Sequence, residues 1–105
     1  MITLGIDVGT THTKVLALDV DQGRTQAIEA APTPIRHAAA GDARRAEHVL
    51  DTVVNRLARV AARLDAVGSL GALSAASVGE EVVLLDDQHP PVGETVAWYD
   101  PRGLA

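Results

Sequence analysis

The chain contains no cysteine and no phenylalanine, and it has one tryptophan and one tyrosine. The absence of cysteine excludes a disulfide framework and a thiolate nucleophile. Because aromatic residues make up only 2% of the chain, a core must be built from Val, Leu, Ile and Ala, and the hydrophobic content of 47% is enough for one. A length of 105 residues allows one domain and is too short for two.

Basic residues and long apolar runs are also scarce. Lys and Arg number 9 against 14 Asp and Glu, a formal net charge of −5. A nucleic-acid partner would require a basic face, so this charge argues against one. No apolar run approaches the roughly 20 residues that span a bilayer, and the N-terminus lacks the basic segment of a signal peptide. We therefore expect no membrane partner and a cytoplasmic location.

The most informative segment is residues 2–20. Apolar alternation over residues 2–8 predicts a strand with Asp7 near its end, and residues 13–20 predict a second strand that carries Lys14. The turn between them consists mainly of Gly and Thr, which expose backbone N–H groups and hydroxyls that can bind a phosphate. Asp7 is placed to hold Mg²⁺, usually through water. The segment indicates a protein that handles the terminal phosphates of a nucleotide.

Other interpretations of this turn were considered. A dinucleotide-binding turn requires G-x-G-x-x-G before a helix, whereas here the spacing is Gly5-x-Asp7-x-Gly9 before a strand. A Walker-type loop is excluded because G-x-x-x-x-G-K-[ST] is absent. A purely structural explanation stays open: a tight hairpin with Gly9 at positive φ and Asp7 capping the turn.

The remaining elements are predicted from periodicity and turn residues. The clearest is a helix over residues 43–64 with one apolar stripe. We expect it to end near Asp65, with Gly68 and Gly71 in the following turn. The helix dipole disfavours cations at a helix start, so Arg44 and Arg45 indicate that the true start lies nearer Glu47. The other predicted elements are a third strand over 25–31, a loop over 35–42, and strands over 70–77, 82–85 and 95–98.

Three arginines of this helix, Arg56, Arg59 and Arg63, could form a phosphate or membrane surface. Arginines on the outer side of a docked helix are more often a solvated face. Up to the strand over 82–85, the predicted order is β-β-β-α-β-β, in which the helix crosses over to a parallel strand, and this order describes an α/β lobe with a mixed sheet.

Two further segments carry polar side chains. Glu80 and Glu81 separate two apolar runs, and as neighbours in a strand they would point to opposite faces and serve different purposes. A solvated hairpin tip is the alternative. Near the end of the chain, Trp98 is either a flat wall for a ligand or a core plug. Asp100 and Arg102 are close enough to orient each other or to line a cleft.

The motif Asp7-x-Gly9-Thr10-Thr11-x-Thr13-Lys14 resembles the first phosphate loop of the actin/Hsp70/sugar-kinase ATPases. It is most similar to that of the FGGY carbohydrate kinases, the family of glycerol kinase and xylulokinase. The resemblance implies a ribonuclease H-like (actin-like ATPase) lobe and the use of ATP and Mg²⁺. It implies that Asp7 serves Mg²⁺ and that the nucleotide phosphates are bound by Gly9, Thr10, Thr11, His12 and Lys14.

The two later segments extend the resemblance. Aligning Leu84-Leu85-Asp86 with the family's strand ending puts Glu80 on the polyol-contacting position. Xylulokinase-like members usually carry Gln near Val78 and His where Glu80 stands, so the sugar stays unassigned. The segment from Ala97 to Arg102 resembles the family's W-x-D-x-R. The substrate-binding residues implied are Glu80, Trp98, Asp100 and Arg102.

We therefore interpret residues 1–105 as the N-terminal part of the first, sugar-binding lobe of an ATP-dependent carbohydrate kinase. The family's general base lies downstream, so no catalytic residue is assigned, the lobe is incomplete, and this piece alone is expected to be inactive. Its substrate would be a small sugar or polyol. Two alternatives stay open: an actin-like or chaperone-like ATPase switch, and a non-catalytic interaction module that pairs through exposed strand edges, which would allow a homodimer.

Overall fold

The computed structural model describes residues 1–64 and 70–104. The described elements, in chain order, are β1 (Ile2–Val8), β2 (His12–Asp19), β3 (Arg24–Pro32), β4 (Arg36–Ala38), β5 (Gly41–Arg44), α1 (Ala46–Ala62), β6 (Leu70–Ser77), β7 (Thr95–Val96) and a 3₁₀ helix (Pro101–Leu104). They form a main four-stranded sheet of order β3-β2-β1-β6 and a small three-stranded sheet of order β4-β5-β7. Within these residues, no helix has the length and apolar content needed to cross a membrane.

The main sheet is mixed, as predicted. Strand β1 pairs antiparallel with β2 and parallel with β6, and β2 pairs antiparallel with β3. The crossover from the third strand to the parallel strand runs through α1, which packs on β2 and β3. The predicted bounds of β1 and β6 match the structure, while β2 begins and ends one residue earlier than predicted. The predicted α/β fold with a mixed sheet is therefore confirmed.

The core lies between α1 and the main sheet. Val15 and Val60 are fully buried, one from β2 and one from α1, and Ala17 lies beside them with no exposed surface. Burying a valine side chain contributes roughly 1.5–3 kcal/mol. The remaining core and its partly buried neighbours are also aliphatic: Ile2, Ala27, Leu4, Ile6, Leu57 and Leu64. This is the aromatic-free core that the composition predicts.

Helix α1 begins later than its apolar periodicity predicts. Its first residue is Ala46, and Arg45 is the N-cap in extended conformation. The start predicted from charge is thus confirmed: it lies next to Glu47, an acidic residue in the first turn, where the helix dipole favours it. The predicted helix end near Asp65 and the turn at Gly68 lie outside the described residues. The prediction that Gly71 belongs to that turn is wrong, since Gly71 is part of β6.

Arg56 of α1 and Arg63, the C-cap residue that follows it, do more than face solvent. Arg56 Nη1 donates to the carbonyl oxygen of Ala30 at 3.3 Å, and Arg63 Nη1 donates to that of Ile28 at 2.9 Å. Both carbonyls belong to β3, which is an edge of the main sheet. The arginines therefore occupy acceptors that an edge strand would otherwise offer to another chain.

The small sheet replaces a predicted loop. The sequence predicts a loop over residues 35–42, whereas β4 and β5 form an antiparallel hairpin in this region. Its turn needs Gly41, which has a φ of +121°. A Cβ on Gly41 would also lie 2.0 Å from Asp100 Oδ2. The hairpin strands are short and rich in polar residues, so they lack the apolar alternation on which strand prediction depends.

The predicted strand over 82–85 is wrong. Of this run, only Leu85 forms a bridge, with Pro91, and Val82 and Leu84 are exposed. An apolar run becomes a strand when neighbours supply hydrogen bonds and cover, and a proline cannot donate a ladder hydrogen bond. The predicted strand over 95–98 is shorter than expected, at Thr95–Val96.

Candidate functional site

The predicted phosphate turn is a tight hairpin between β1 and β2. The Gly9 N–H donates to the His12 carbonyl oxygen at 2.9 Å. A Cβ on Gly9 would lie 2.7 Å from that oxygen, so the turn requires glycine because of close approach. The purely structural alternative placed Gly9 at positive φ, which is wrong: among the described glycines, only Gly23, Gly41 and Gly93 have positive φ. Thr11 and His12 are exposed, and Thr10 is partly buried.

Two buried threonines, which the sequence interpretation did not single out, support this hairpin. Thr33 Oγ1 donates to the Gly9 carbonyl oxygen at 2.8 Å and lies 2.8 Å from Thr13 Oγ1, which is then the donor in that pair. The Thr33 N–H also donates to the Thr11 carbonyl oxygen at 2.8 Å. The available signal was alternation on β2, which places Thr13 on the buried face with Val15. The hairpin is thus held from inside while its outer residues stay accessible.

Asp7 lies near the end of β1 with its side chain exposed, directly opposite Lys14 on β2. Among the described residues, no group of three or more His, Cys, Asp or Glu could enclose a metal ion. Mg²⁺ at a nucleotide is held differently, by one or two carboxylates together with water and phosphate oxygens. A single accessible carboxylate beside a hairpin of N–H groups and hydroxyls fits that mode of binding.

Glu80 and Glu81 do differ in role, but for another reason than strand alternation. Strand β6 ends at Ser77, and Glu80 adopts a left-handed φ of +66° in the bend that follows. Glu80 is exposed. The Glu81 side chain is only 9% exposed and pairs with Arg44, whose Nε lies 3.2 Å from its Oε2. The bend thus separates one carboxylate that can meet a ligand from one that is sequestered.

Trp98 lies across the phosphate hairpin. Its Nε1–H donates to Thr10 Oγ1 at 3.0 Å, and its backbone N–H donates to Glu81 Oε1 at 3.2 Å. Its ring meets that of Tyr99 edge to face, with centroids 5.6 Å apart and planes at 88°. Trp98 keeps 50% of its surface exposed, so it is not a core plug.

These contacts bring the three sequence segments to one cavity. A cavity of about 310 Å³ is lined by Thr10, Val78, Gly79, Glu80 and Trp98. It combines a hydroxyl, a carboxylate and an indole face, the mixture that binds a small polyhydroxylated molecule.

Asp100 and Arg102 lie beyond this cavity lining and orient each other. Arg102 Nε donates to Asp100 Oδ1 at 2.9 Å, and the Asp42 N–H donates to Asp100 Oδ2 at 2.8 Å. The hydrogen bonds from Arg102 lower the pKa of Asp100 to about 2. Arg102 also donates to the Asp42 carbonyl oxygen at 3.2 Å. Of the two roles expected for this pair, mutual orientation is the one its contacts display.

The turn after β7 is fixed to β5 by a second set of bonds. The Tyr99 hydroxyl donates to Asp42 Oδ2 at 2.6 Å. This bond, followed by that from His37, lowers the pKa of Asp42, and the same carboxylate raises the pKa of Tyr99. Trp98 is therefore flanked by residues bound to the small sheet.

The chain has the α/β fold of solved sugar kinases. It is similar to the gluconate kinase of Lactobacillus acidophilus, with a TM-score of 0.83, 22% identity and coverage of 95% of this chain and 20% of that one. The ligand-bound xylulose kinase of the same organism gives a TM-score of 0.81 and 22% identity, covering 94% of this chain and 20% of that one. The xylulose kinase of Rhodospirillum rubrum gives a TM-score of 0.80 and 19% identity, covering 91% of this chain and 20% of that one.

The sequence identifies the family. Residues 2–105 match the N-terminal domain of the FGGY family of carbohydrate kinases, and the chain belongs to that family. No curated protein sequence matches it. The chain spans about 20% of the length of each of the three solved kinases.

Proposed function

We propose that this chain is the N-terminal part of an ATP-dependent carbohydrate kinase that transfers the ATP γ-phosphoryl group to a hydroxyl of a sugar or polyol. One observation supports this above all: Thr10 of the phosphate hairpin is hydrogen-bonded to Trp98 at 3.0 Å, and both line one cavity with Glu80. A nucleotide phosphate and a polyol bound to these residues would lie next to each other. Such adjacency is what direct transfer requires.

The exposed residues of the hairpin are assigned to the nucleotide. The backbone N–H groups of Thr10, Thr11 and His12 and the hydroxyls of the two threonines bind phosphate oxygens, and Gly9 allows the tight turn that presents them. Lys14 adds positive charge. Asp7 would hold Mg²⁺, which neutralises charge that develops on the transferred group.

The cavity residues are assigned to the sugar. Glu80 accepts hydrogen bonds from two hydroxyls, and Trp98 packs against the C–H face. Asp100 fixes Arg102, whose side chain keeps 35% of its surface exposed and is the member of the pair that can reach a substrate. The general base is assigned to none of the described residues.

The test is a ligand-induced stability shift on the complete gene product, with a panel of polyols, ketoses and sugar acids, with and without Mg-ATP. We expect one sugar class to raise the melting temperature and to be phosphorylated. Asp7→Ala should abolish nucleotide consumption while leaving the sugar-induced shift in place. A shift with ATP and with no sugar would contradict the proposal and favour an ATPase switch. A protein that responds to neither ligand would favour an interaction module.

A further inference from the structure

A buried ion pair lies directly behind the candidate site and has no part in the roles assigned above. The side chains of Arg44 and Glu81 are only 4% and 9% exposed. Removing two charges from water costs several kcal/mol per ion, and their attraction offsets this only when further hydrogen bonds satisfy both groups. The remaining partners of this pair therefore indicate what it does.

The three nitrogens of the Arg44 guanidinium donate hydrogen bonds to three different residues. Its Nε donates to Glu81 Oε2 at 3.2 Å, its Nη1 to the Pro34 carbonyl oxygen at 3.0 Å, and its Nη2 to the Thr10 carbonyl oxygen at 2.9 Å. The planar guanidinium holds these donors at fixed mutual angles, which a lysine ammonium cannot do. Arg44 therefore fixes the backbone of the phosphate hairpin at Thr10.

Glu81 makes the corresponding contact to the cavity wall. Its Oε1 accepts the backbone N–H of Trp98 at 3.2 Å. The indole N–H of Trp98 in turn donates to Thr10 Oγ1 at 3.0 Å. The contacts close a ring that runs from Thr10 to Arg44, Glu81, Trp98 and back to Thr10.

We propose that Arg44 and Glu81 are positioning residues that hold Thr10 and Trp98 at a fixed separation, so that the nucleotide and sugar subsites form one preorganised unit. Neither residue touches a ligand in this assignment. Because both act on both subsites, weakening the pair should impair binding of ATP and of the sugar together. The inference rests on the proposed kinase function, which assigns Thr10 to the phosphates and Trp98 to the sugar.

The test compares two conservative variants in the complete gene product. Arg44→Lys keeps the charge but removes the fork, and Glu81→Gln keeps an acceptor for the Trp98 N–H but removes the charge. The neighbouring pair Arg45 and Glu47, which is exposed at 55% and 42%, supplies the controls Arg45→Lys and Glu47→Gln. We expect Arg44→Lys to raise KM for both substrates by about 10-fold and Glu81→Gln by less, with the controls unchanged.

A charge-swapped double variant separates positioning from charge balance. Arg44→Glu combined with Glu81→Arg restores opposite charges, yet a carboxylate at position 44 cannot donate to the Thr10 carbonyl oxygen and a guanidinium at position 81 cannot accept from the Trp98 N–H. We expect both KM values to stay raised in the swap. Restoration of either KM would overturn the proposal in favour of simple charge neutralisation. A lower melting temperature with unchanged KM values in Arg44→Lys would overturn it in favour of a purely structural pair.

A second experiment distinguishes failure of the kinase assignment from failure of the positioning role. A wild-type protein that phosphorylates no sugar overturns the proposed function, and the geometry is then tested in the chain Met1–Ala105, where Trp98 is the sole tryptophan. Loss of the ring in Arg44→Lys should shift Trp98 emission to the red and increase its quenching by acrylamide. Circular dichroism checks that this variant remains folded. Emission identical to wild type in a folded variant would overturn the positioning role.

Discussion

The two sheets of this molecule are held together by different forces. The main sheet packs on α1 through aliphatic side chains, with Val15 and Val60 fully buried. The small sheet is joined by charged and polar contacts: Arg36 with Glu94, Asp100 with the Asp42 N–H, and Tyr99 with the Asp42 carboxylate. Burial is insensitive to pH and salt, whereas exposed ion pairs depend on both. The candidate site lies where the two sheets meet, with its hairpin on one and Trp98 next to the other.

The largest expected effect comes from the ligand-facing end of the main sheet. Asp7→Asn keeps the side-chain shape and removes the charge assigned to Mg²⁺, so kcat/KM for ATP should fall by about 100-fold or more. Because Asp7 is exposed, the melting temperature should barely change. Steady-state kinetics with a Mg²⁺ titration checks this. The matched control is Asp87→Asn, also at an exposed carboxylate, and equal losses in both variants would contradict the assignment.

Substitutions of Glu80 should affect both sugar binding and stability, because this residue is assigned to the sugar and has a strained backbone conformation. A non-glycine residue in the left-handed region costs on the order of 1 kcal/mol, which Glu80→Gly relieves and Glu80→Ala does not. Both variants should raise KM for the sugar by about 10- to 50-fold through loss of the charge-assisted hydrogen bonds. The Gly variant should be the more stable of the two. His89 also has positive φ, +76°, so His89→Gly gives similar relief and should leave the sugar KM unchanged.

The difference between the forces that stabilise the two sheets can be tested with two alanine substitutions in the chain Met1–Ala105. Val15→Ala leaves a cavity in the main core and should lower the free energy of unfolding by about 2 kcal/mol, at any salt concentration. Arg36→Ala removes an exposed ion pair of the small sheet and should cost much less, with a loss that vanishes near about 1 M NaCl. Urea denaturation at low and high salt measures both. A loss of unfolding free energy in Val15→Ala that depends on salt would contradict the distinction between an apolar main sheet and an ion-paired small sheet.

The smallest expected effect is an acid response confined to the small sheet. The pKa of Asp100 is lowered from 3.8 to about 2, so its stabilisation is fully present above pH 4 and is lost as the pH falls toward 2. Amide hydrogen exchange between pH 5 and 2 should therefore show earlier opening of the strand pairing between β5 and β7 than of that between β1 and β2. Asp100→Asn should flatten this response, while Val15→Ala should shift stability equally at all pH values.

Sequence patterns predicted the strands of the main sheet but, of the small sheet, only β7, and the reason is physical. Apolar periodicity reports burial against a partner surface, and it located β1, β2, β3 and the stripe of α1. Strand β6, whose residues are all exposed, was predicted instead from its run of small apolar residues. Strands β4 and β5 are held by side-chain hydrogen bonds between residues far apart in sequence, such as Arg36 and Glu94, separated by 58 positions. No local pattern encodes such pairs. The run over 82–85 shows the converse, since apolar residues without a partner surface stayed irregular.

The site residues divide in the same way. Motif spacing pointed to solvent-accessible groups, among them Thr10, Glu80 and Trp98, and the structure places these three around one cavity. The supporting groups Thr33 and Arg44 were missed because their importance comes from the carbonyl oxygens they reach. Arg44 was considered only as an unfavourable charge at a helix start, whereas it is a buried donor in β5.

The arginine contacts on β3 also determine which edge of the main sheet can pair with a further strand. One outer edge, β3, has carbonyl oxygens bonded by Arg56 and Arg63, whereas the other described edge is β6. A strand joining at β3 would have to displace two guanidinium groups, and one joining at β6 would not. Further strands, whether from the same polypeptide or from a second copy, should therefore extend the sheet on the β6 side only. The helix that covers the core thus also determines at which edge this sheet can gain a strand.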